Sequence, residues 1–220
     1  MSSNSVILET VFRHLSPSDI KRASLVSKTW RRILNRPRFW SKMKLRIFNR
    51  SDRTFQVKVM KSRIIQLVSE IEISAVAGVN SNLINMIEKL FNSIVSGKLP
   101  QLKIILTRCG GMCFKRGICF KNFNLCSLSP ELISQTVIRL EKCDFKMFNF
   151  SANQIITILE NIIQTKHLKL KELFLFNYTQ HKKFYTIPAN IMMQAALRLE
   201  VSEFCGFQGR RIKYINRKLS

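Results

Sequence analysis

The chain has 220 residues, 46 % of them hydrophobic, and its 37 basic against 13 acidic residues leave a net charge of +24. The hydrophobic content excludes wholesale disorder. With only 7 Gly and 5 Pro a fibrous or low-complexity chain is excluded too, and no apolar run approaches the roughly 20 residues of a membrane-spanning helix.

The N-terminus, "MSSNSVILETVFRHL", has no basic head before its short apolar run, and Glu9 soon interrupts that run. It does not read as a signal peptide. The expectation is a cytoplasmic and/or nuclear protein with its six cysteines reduced. The positive charge projects a field over about a Debye length, roughly 8 to 10 Å, and attracts nucleic acid, acidic proteins or anionic lipid alike. The basic residues are spread along the chain. That suits a generally basic surface better than a dedicated nucleic-acid arm, so no membrane partner is expected and nucleic acid is the least favoured one.

The first 46 residues read as short helices. In "HLSPSDIKRASLVSKTW" Ser16 can cap a helix, Pro17 suits its first position, and Asp19 stands three residues after the cap. Val26, Trp30 and Ile33 follow at i, i+4 and i+7, one helical face. The stretch from Asn35 to Pro37 ends that helix, because the residue before a proline disfavours the α conformation. Residues 47–66 then read as a polar junction.

Beyond the junction the texture changes. Apolar-x-apolar segments recur at Ile71-x-Ile73, Ile104-x-Leu106, Ile138-x-Leu140, Leu173-x-Leu175 and Leu197-x-Leu199, at spacings of 33, 34, 35 and 24 residues. Amphipathic helices are predicted between them. One covers residues 81–96, with Leu83, Ile87, Leu90 and Ile94 on one face. Another covers residues 152–165, with Ile155, Leu159 and Ile162 likewise and Ser151 and Gln154 as a capping box. The stretches "SPELISQTVIRLEKCDF" (129–145) and "IPANIMMQAALRLEVSEF" (187–204) resemble one another, both carrying Gln-x-x-apolar-Arg-Leu-Glu. Strand, turn and helix repeated at such spacings imply a solenoid whose units stack into a parallel sheet. An all-helical array is disfavoured by β-branched and aromatic runs such as "ELFLFNY".

Two family resemblances carry the functional reading. Residues 6–45 resemble an F-box. Val11, Phe12 and Leu15 end the first apolar helix, Ser16 to Ile20 give Ser-x-x-Asp-Ile, Leu25-Val26-Ser27 lead to Trp30, and Trp40 follows Pro37. Ser3 and Asn4 stand where the family usually has Leu-Pro. The later segments resemble leucine-rich repeats, whose strands run Leu-x-Leu-x-x-Asn/Cys. Ile104-x-Leu106-x-x-Cys109 and Ile138-x-Leu140-x-x-Cys143 match that pattern, while the units ending at Tyr178 and Ser202 match only its first part. The expected architecture is α/β, a small all-helical F-box module at 1–46 and a short irregular leucine-rich-repeat solenoid at 67–220. The solenoid has about five units of parallel strands and helices, with a cysteine-containing insert near 109–127.

What the resemblance implies is a non-catalytic subunit of an SCF-type ubiquitin ligase. The F-box would dock on a Skp-type adaptor and through it on a cullin scaffold, while the repeats bind a protein substrate. The implied adaptor-binding residues are Leu8, Phe12, Leu15, Pro17, Ile20, Leu25 and Val26. Val11, Trp30, Ile33 and Trp40 are expected in the module's core. The net charge suits an acidic or phosphorylated substrate. Two alternatives stay open: a repeat scaffold with a vestigial F-box, and a nucleic-acid binder driven by charge.

No catalytic constellation or phosphate-cradling loop is readable around His14, His167 and His181. Cys109, Cys113, Cys119 and Cys126 are spaced C-x3-C-x5-C-x6-C. Only the first pair suits zinc, so neither metal nor cofactor is expected. The C-terminal "GRRIKYINRKLS" has five basic residues and no acidic one, and reads as a solvated or capping segment of the last unit.

Overall fold

The computed structural model describes residues 3–15, 17–36, 44–48, 63–75, 81–109, 123–146, 148–176, 187–207 and 210–215. The chain is mixed α/β, with a helical N-terminal region leading into a largely parallel sheet. Three short helices open it: α1 (Ser3–Phe12), α2 (Pro17–Val26) and α3 (Lys28–Leu34). The single helical face expected through Val26, Trp30 and Ile33 is broken. Ser27 has an extended backbone and its hydroxyl accepts the Trp30 N–H, so it caps a new helix and leaves Val26 at the end of the old one.

The sheet then takes its strands in chain order: β1 (Lys44–Phe48), β2 (Glu70–Ala75), β3 (Ile104–Cys109), β5 (Lys142–Phe145), β7 (Glu172–Phe176), β8 (Val201–Phe207) and β9 (Arg210–Ile215). All pairings are parallel except the last, where β9 turns back antiparallel on β8. Two-residue strands β4 (Phe123–Asn124) and β6 (Phe148–Asn149) form a second, small sheet. Because β1 pairs with β2 residue for residue, Ile47 and Phe48, expected in the junction, belong to the sheet.

The connections are helices α4 (Ser81–Val95), α5 (Pro130–Ile138), α6 (Ala152–Gln164) and α7 (Ala189–Ala196). Each packs against the next, so they form one layer. The first and third bury Ile87, Leu90 and Ile94, and Ile155, Leu159 and Ile162, as their periodicity predicts, while the Leu83 side chain lies outside the described residues. The capping box forms as read: Gln154 N–H donates to Ser151 Oγ and Ser151 N–H to Gln154 Oε1. Gln154 does more than cap. Its buried Nε2 donates to the carbonyls of Leu125 and Leu128, both at 2.7 Å, fastening the chain that enters α5. Arg198, from the Arg-Leu-Glu motif, donates to the carbonyls of Ile163 and Thr165 at the end of α6.

Three buried rows form the core under this helical layer. One runs Leu45, Ile71, Ile105, Cys143, Leu173 and Ser202 across the strands. A second holds Ile73, Thr107, Phe145, Leu175 and Phe204. The third lies in the turn before each strand: Val68, Leu102, Leu140, Leu170 and Leu199. A backbone pattern repeats with them. The carbonyls of Ser69, Lys103, Glu141 and Lys171 each accept two N–H groups from the start of the next strand.

This register corrects several expected repeat strands. Ile71, Ile73, Leu173 and Leu175 are strand residues with buried side chains. Ile138 instead ends α5, and Leu140 lies in the turn after it. Leu197 is the C-cap of α7, largely exposed, and Leu199 is again a turn residue. A helix's last apolar residue followed by a buried turn leucine imitates the two-residue period of a strand. Ile104 and Leu106 do lie in β3, but it is Ile105 and Thr107 that point into the core. The polar Thr107 is accommodated there because its hydroxyl donates to the Asp144 carbonyl at 2.8 Å.

Ser202 has no such solution. It is fully buried where other units place Ile, Cys or Leu, and its hydroxyl has no hydrogen-bond partner among the described residues. Removing a buried, unsatisfied hydroxyl relieves its desolvation cost. Ser202→Ala is therefore expected to raise stability by about 1 kcal/mol, read as a higher urea midpoint at unchanged slope. A lower midpoint would contradict this.

Candidate functional site

The N-terminal helices form a small module around Phe12, Ile20, Ala23, Ile33 and Leu34, all buried. Leu8 and Phe12 on α1 and Leu15 just past its end face inward, with Leu8 and Leu15 half-buried against that core. Trp30 lays its ring edge-on to Phe12, with centroids 4.9 Å apart and planes at 65°.

Polar contacts fix how the module closes. Arg36, just past α3, donates from Nη1 to Glu9 Oε1 at 2.8 Å and to Ser5 Oγ at 3.1 Å. Glu9 is buried and Arg36 is about a third exposed (33 %). This pair ties α1 to the far end of α3. Glu9→Ala is expected to destabilise the module by about 1.5 kcal/mol, because it strands Arg36 without its anionic acceptor in a partly solvated position. Thermal melting of Glu9→Ala, Arg36→Ala and the double variant checks it, the double losing little more than either single.

Other apolar side chains of the module are exposed. Val6, Ile7 and Val11 on α1 and Leu25 and Val26 at the end of α2 are all more than half exposed, Leu25 reaching 70 %. Phe12 and Ile20, expected to meet an adaptor, are buried among the module's own side chains. Val11, expected in the core, is 51 % exposed. Leu25 and Val26 are on the surface as expected, and Leu8 and Leu15 are half-buried. Pro17 begins α2, but its side chain and all of Trp40 lie outside the described residues. Val6 and Ile7 were not singled out from the sequence. The signal was present, since they fall off the Leu8, Phe12, Leu15 stripe in an otherwise apolar run.

A second face with site-like chemistry is the sheet surface away from the helices. One row across it reads Glu72, Leu106, Asp144, Phe174 and Glu203. Lys146 ion-pairs with Asp144 at 3.7 Å and Glu203 at 4.0 Å, and lies 4.6 Å from the centre of the Phe174 ring. Lys142 approaches the same ring at 5.5 Å and pairs with Glu172. Burial raises the Asp144 carboxyl above its ordinary pKa, opposed by the charge and backbone N–H of Lys146. At the edge of this face, Lys103 pairs with Glu141 at 2.8 Å and Lys171 with Glu200 at 2.9 Å. Glu141 and Glu200 are the glutamates of the two Arg-Leu-Glu motifs. The centre of this face thus carries both signs of charge, and the excess of +24 is not expressed there.

The cysteines are placed as follows by the fold. Cys143 is buried in the core, and burial holds its thiol well above the ordinary value. At Cys126 partial burial raises the thiol as well. Cys109 ends β3, while Cys113 and Cys119 lie outside the described residues. Among the described residues no group of three or more His, Cys, Asp or Glu could hold a metal ion, and no helix is long and apolar enough to cross a membrane.

The N-terminal module is thus three helices around a small apolar core, with further apolar side chains left exposed. Residues 5–46 match the F-box-like family, so the chain carries an F-box-like domain at its N-terminal end. The match ends within β1 and does not extend over the rest of the sheet. No curated protein matches the chain.

Proposed function

We propose that this chain is the substrate-recognition subunit of an SCF-type ubiquitin ligase. The F-box-like domain docks on a Skp-type adaptor, which links it to a cullin scaffold. Residues 67–220 act as an irregular leucine-rich-repeat solenoid that holds a protein substrate. The observation that carries the reading is the F-box-like match over residues 5–46, joined to five large apolar side chains left in solvent on α1 and α2. Burying side chains of this kind stabilises a complex by about 1.5 to 3 kcal/mol each before association costs.

The repeat reading is supported by strands laid side by side in chain order and by the three buried rows they share. Units of this kind cannot bury their apolar faces alone, so stacking stabilises them. Their lengths differ because the connections between equivalent strands differ. The mechanism is tethering: holding a substrate beside a ubiquitin-loaded enzyme makes the transfer nearly intramolecular. No catalytic group is required of this chain.

Co-expression with a Skp-type adaptor tests the proposal. The intact chain is expected to co-purify with the adaptor, and a chain carrying charged residues at the exposed apolar positions is expected to lose it. A folded, intact chain that never retains the adaptor sinks the reading. It would leave the repeat scaffold with a vestigial F-box, to which the replacement of Leu-Pro by Ser3 and Asn4 already points.

A further inference from the structure

We propose that the outer edge of β9 binds an extended segment of a partner protein as an added strand, the segment alternating acidic and apolar residues. β9 ends the seven-stranded sheet, and among the described residues only β8 pairs with it. An edge strand directs alternate N–H and C=O groups away from its one neighbour, which makes it a template for another chain. The strand is basic, with Arg210, Arg211 and Lys213 in six residues. No acidic residue follows Glu203 in the sequence.

The register says what kind of segment fits. Lys213 is in register with Glu203 and Arg211 with Cys205. Ile212 is in register with Phe204 and Tyr214 with Ser202, and Phe204 and Ser202 are buried on the helix side. A strand added to β9 continues this alternation. Its residues on the open side fall beside Arg211 and Lys213 and are matched by carboxylates. Its residues on the helix side fall beside Ile212 and Tyr214 and are matched by apolar groups. A second copy of this chain is a poor occupant, since two such edges, each basic on a chain of net charge +24, repel. The same charges that guard the edge against self-pairing select an acidic strand. The mixed charge at the centre of the sheet face provides no comparable selection.

This deepens the receptor reading by naming a substrate class, and rests on it only for the word substrate. An absent adaptor would leave the edge interaction standing, and an absent edge interaction would leave the adaptor surface standing.

The probe is a fluorescein-labelled peptide of about six residues, the length of a common strand, alternating Glu and Val. Its anisotropy is followed against the full chain. Saturable binding is expected, about tenfold weaker for a peptide of the same composition with its Glu and Val in separate blocks. N-methylation of alternate peptide amides is expected to abolish binding, because it removes strand hydrogen bonds and leaves charge intact. The Arg211→Glu/Lys213→Glu variant is expected to weaken the Glu/Val peptide about tenfold and to favour a Lys/Val peptide. Equal binding of alternating and block peptides, or binding that survives N-methylation, would overturn the proposal. The N-methylation arm uses the natural chain and decides the matter even where the charge-reversed variant does not fold.

Discussion

Phe145→Ala is expected to cost about 3 to 5 kcal/mol of folding stability, the range for deleting a buried aromatic side chain. Phe145 is fully buried and lies in a cluster of four rings. Its centroid is 5.2 Å from Phe148, 5.8 Å from Phe150 and 6.3 Å from Phe91. These rings come from α4, β5, β6 and the residue after β6, so the cavity would open where the helical layer, the main sheet and the small sheet meet. Phe174, one strand over on the open side of the sheet, provides the control. Its ring is only half-buried and covered by lysine side chains, so Phe174→Ala is expected to cost less than about 1.5 kcal/mol. Urea unfolding of both variants checks the contrast. Similar losses at the two positions would mean that the open side of the sheet is as tightly covered as its core.

The second large effect is on binding. Val11→Asp with Leu25→Asp is expected to lower affinity for a Skp-type adaptor by about 100-fold or more, because each replaces a buried apolar contact with a desolvated carboxylate. The fold of the module is expected to change by less than about 0.5 kcal/mol, since both side chains are already in solvent. Phe12→Ala separates the two kinds of residue. It too would weaken adaptor binding, but through loss of the module's own core, visible in melting before any partner is added. A stable Phe12→Ala variant that fails to bind would return Phe12 to the docking surface, against its burial.

Much of this molecule could be read from residue order, and the failures have physical causes. The long helices were legible because their apolar stripes are wide and regular, and one begins with a capping box. The F-box was legible because its pattern runs in register over some forty residues with both tryptophans placed. Core and surface within it were not separable in the same way. In so small a module more side chains are apolar than the core buries, and only the helix break at Ser27 decides that Val26 turns outward. The strands were harder still. Four of the ten residues assigned to them lie at helix ends or in turns, because a helix's final isoleucine or leucine and a buried turn leucine sit two residues apart. In β3 the run Ile104, Ile105, Leu106 offers two frames of equal hydropathy. The choice falls to backbone register and to the hydrogen bond of Thr107. The Arg-Leu-Glu self-similarity proved informative, though its residues are not strand residues: Arg198 caps a helix, the leucines fill the turn row, and the glutamates pair with lysines of the preceding unit.

The net charge was legible only as a total. It predicts attraction to acidic partners but not where, and the sheet face shows why: Lys146 is neutralised between Asp144 and Glu203. The alternative of a charge-driven nucleic-acid binder keeps a clear signature, an affinity that falls as a power of salt concentration.

The central claim is that the F-box-like domain still grips its adaptor although Ser3 and Asn4 replace Leu-Pro. Calorimetric titration of the intact chain with a purified Skp-type adaptor tests it most directly. The account predicts a saturable one-to-one complex with the negative heat-capacity change of apolar burial. A folded chain that gives no binding heat at any temperature, and no complex on gel filtration, would contradict it.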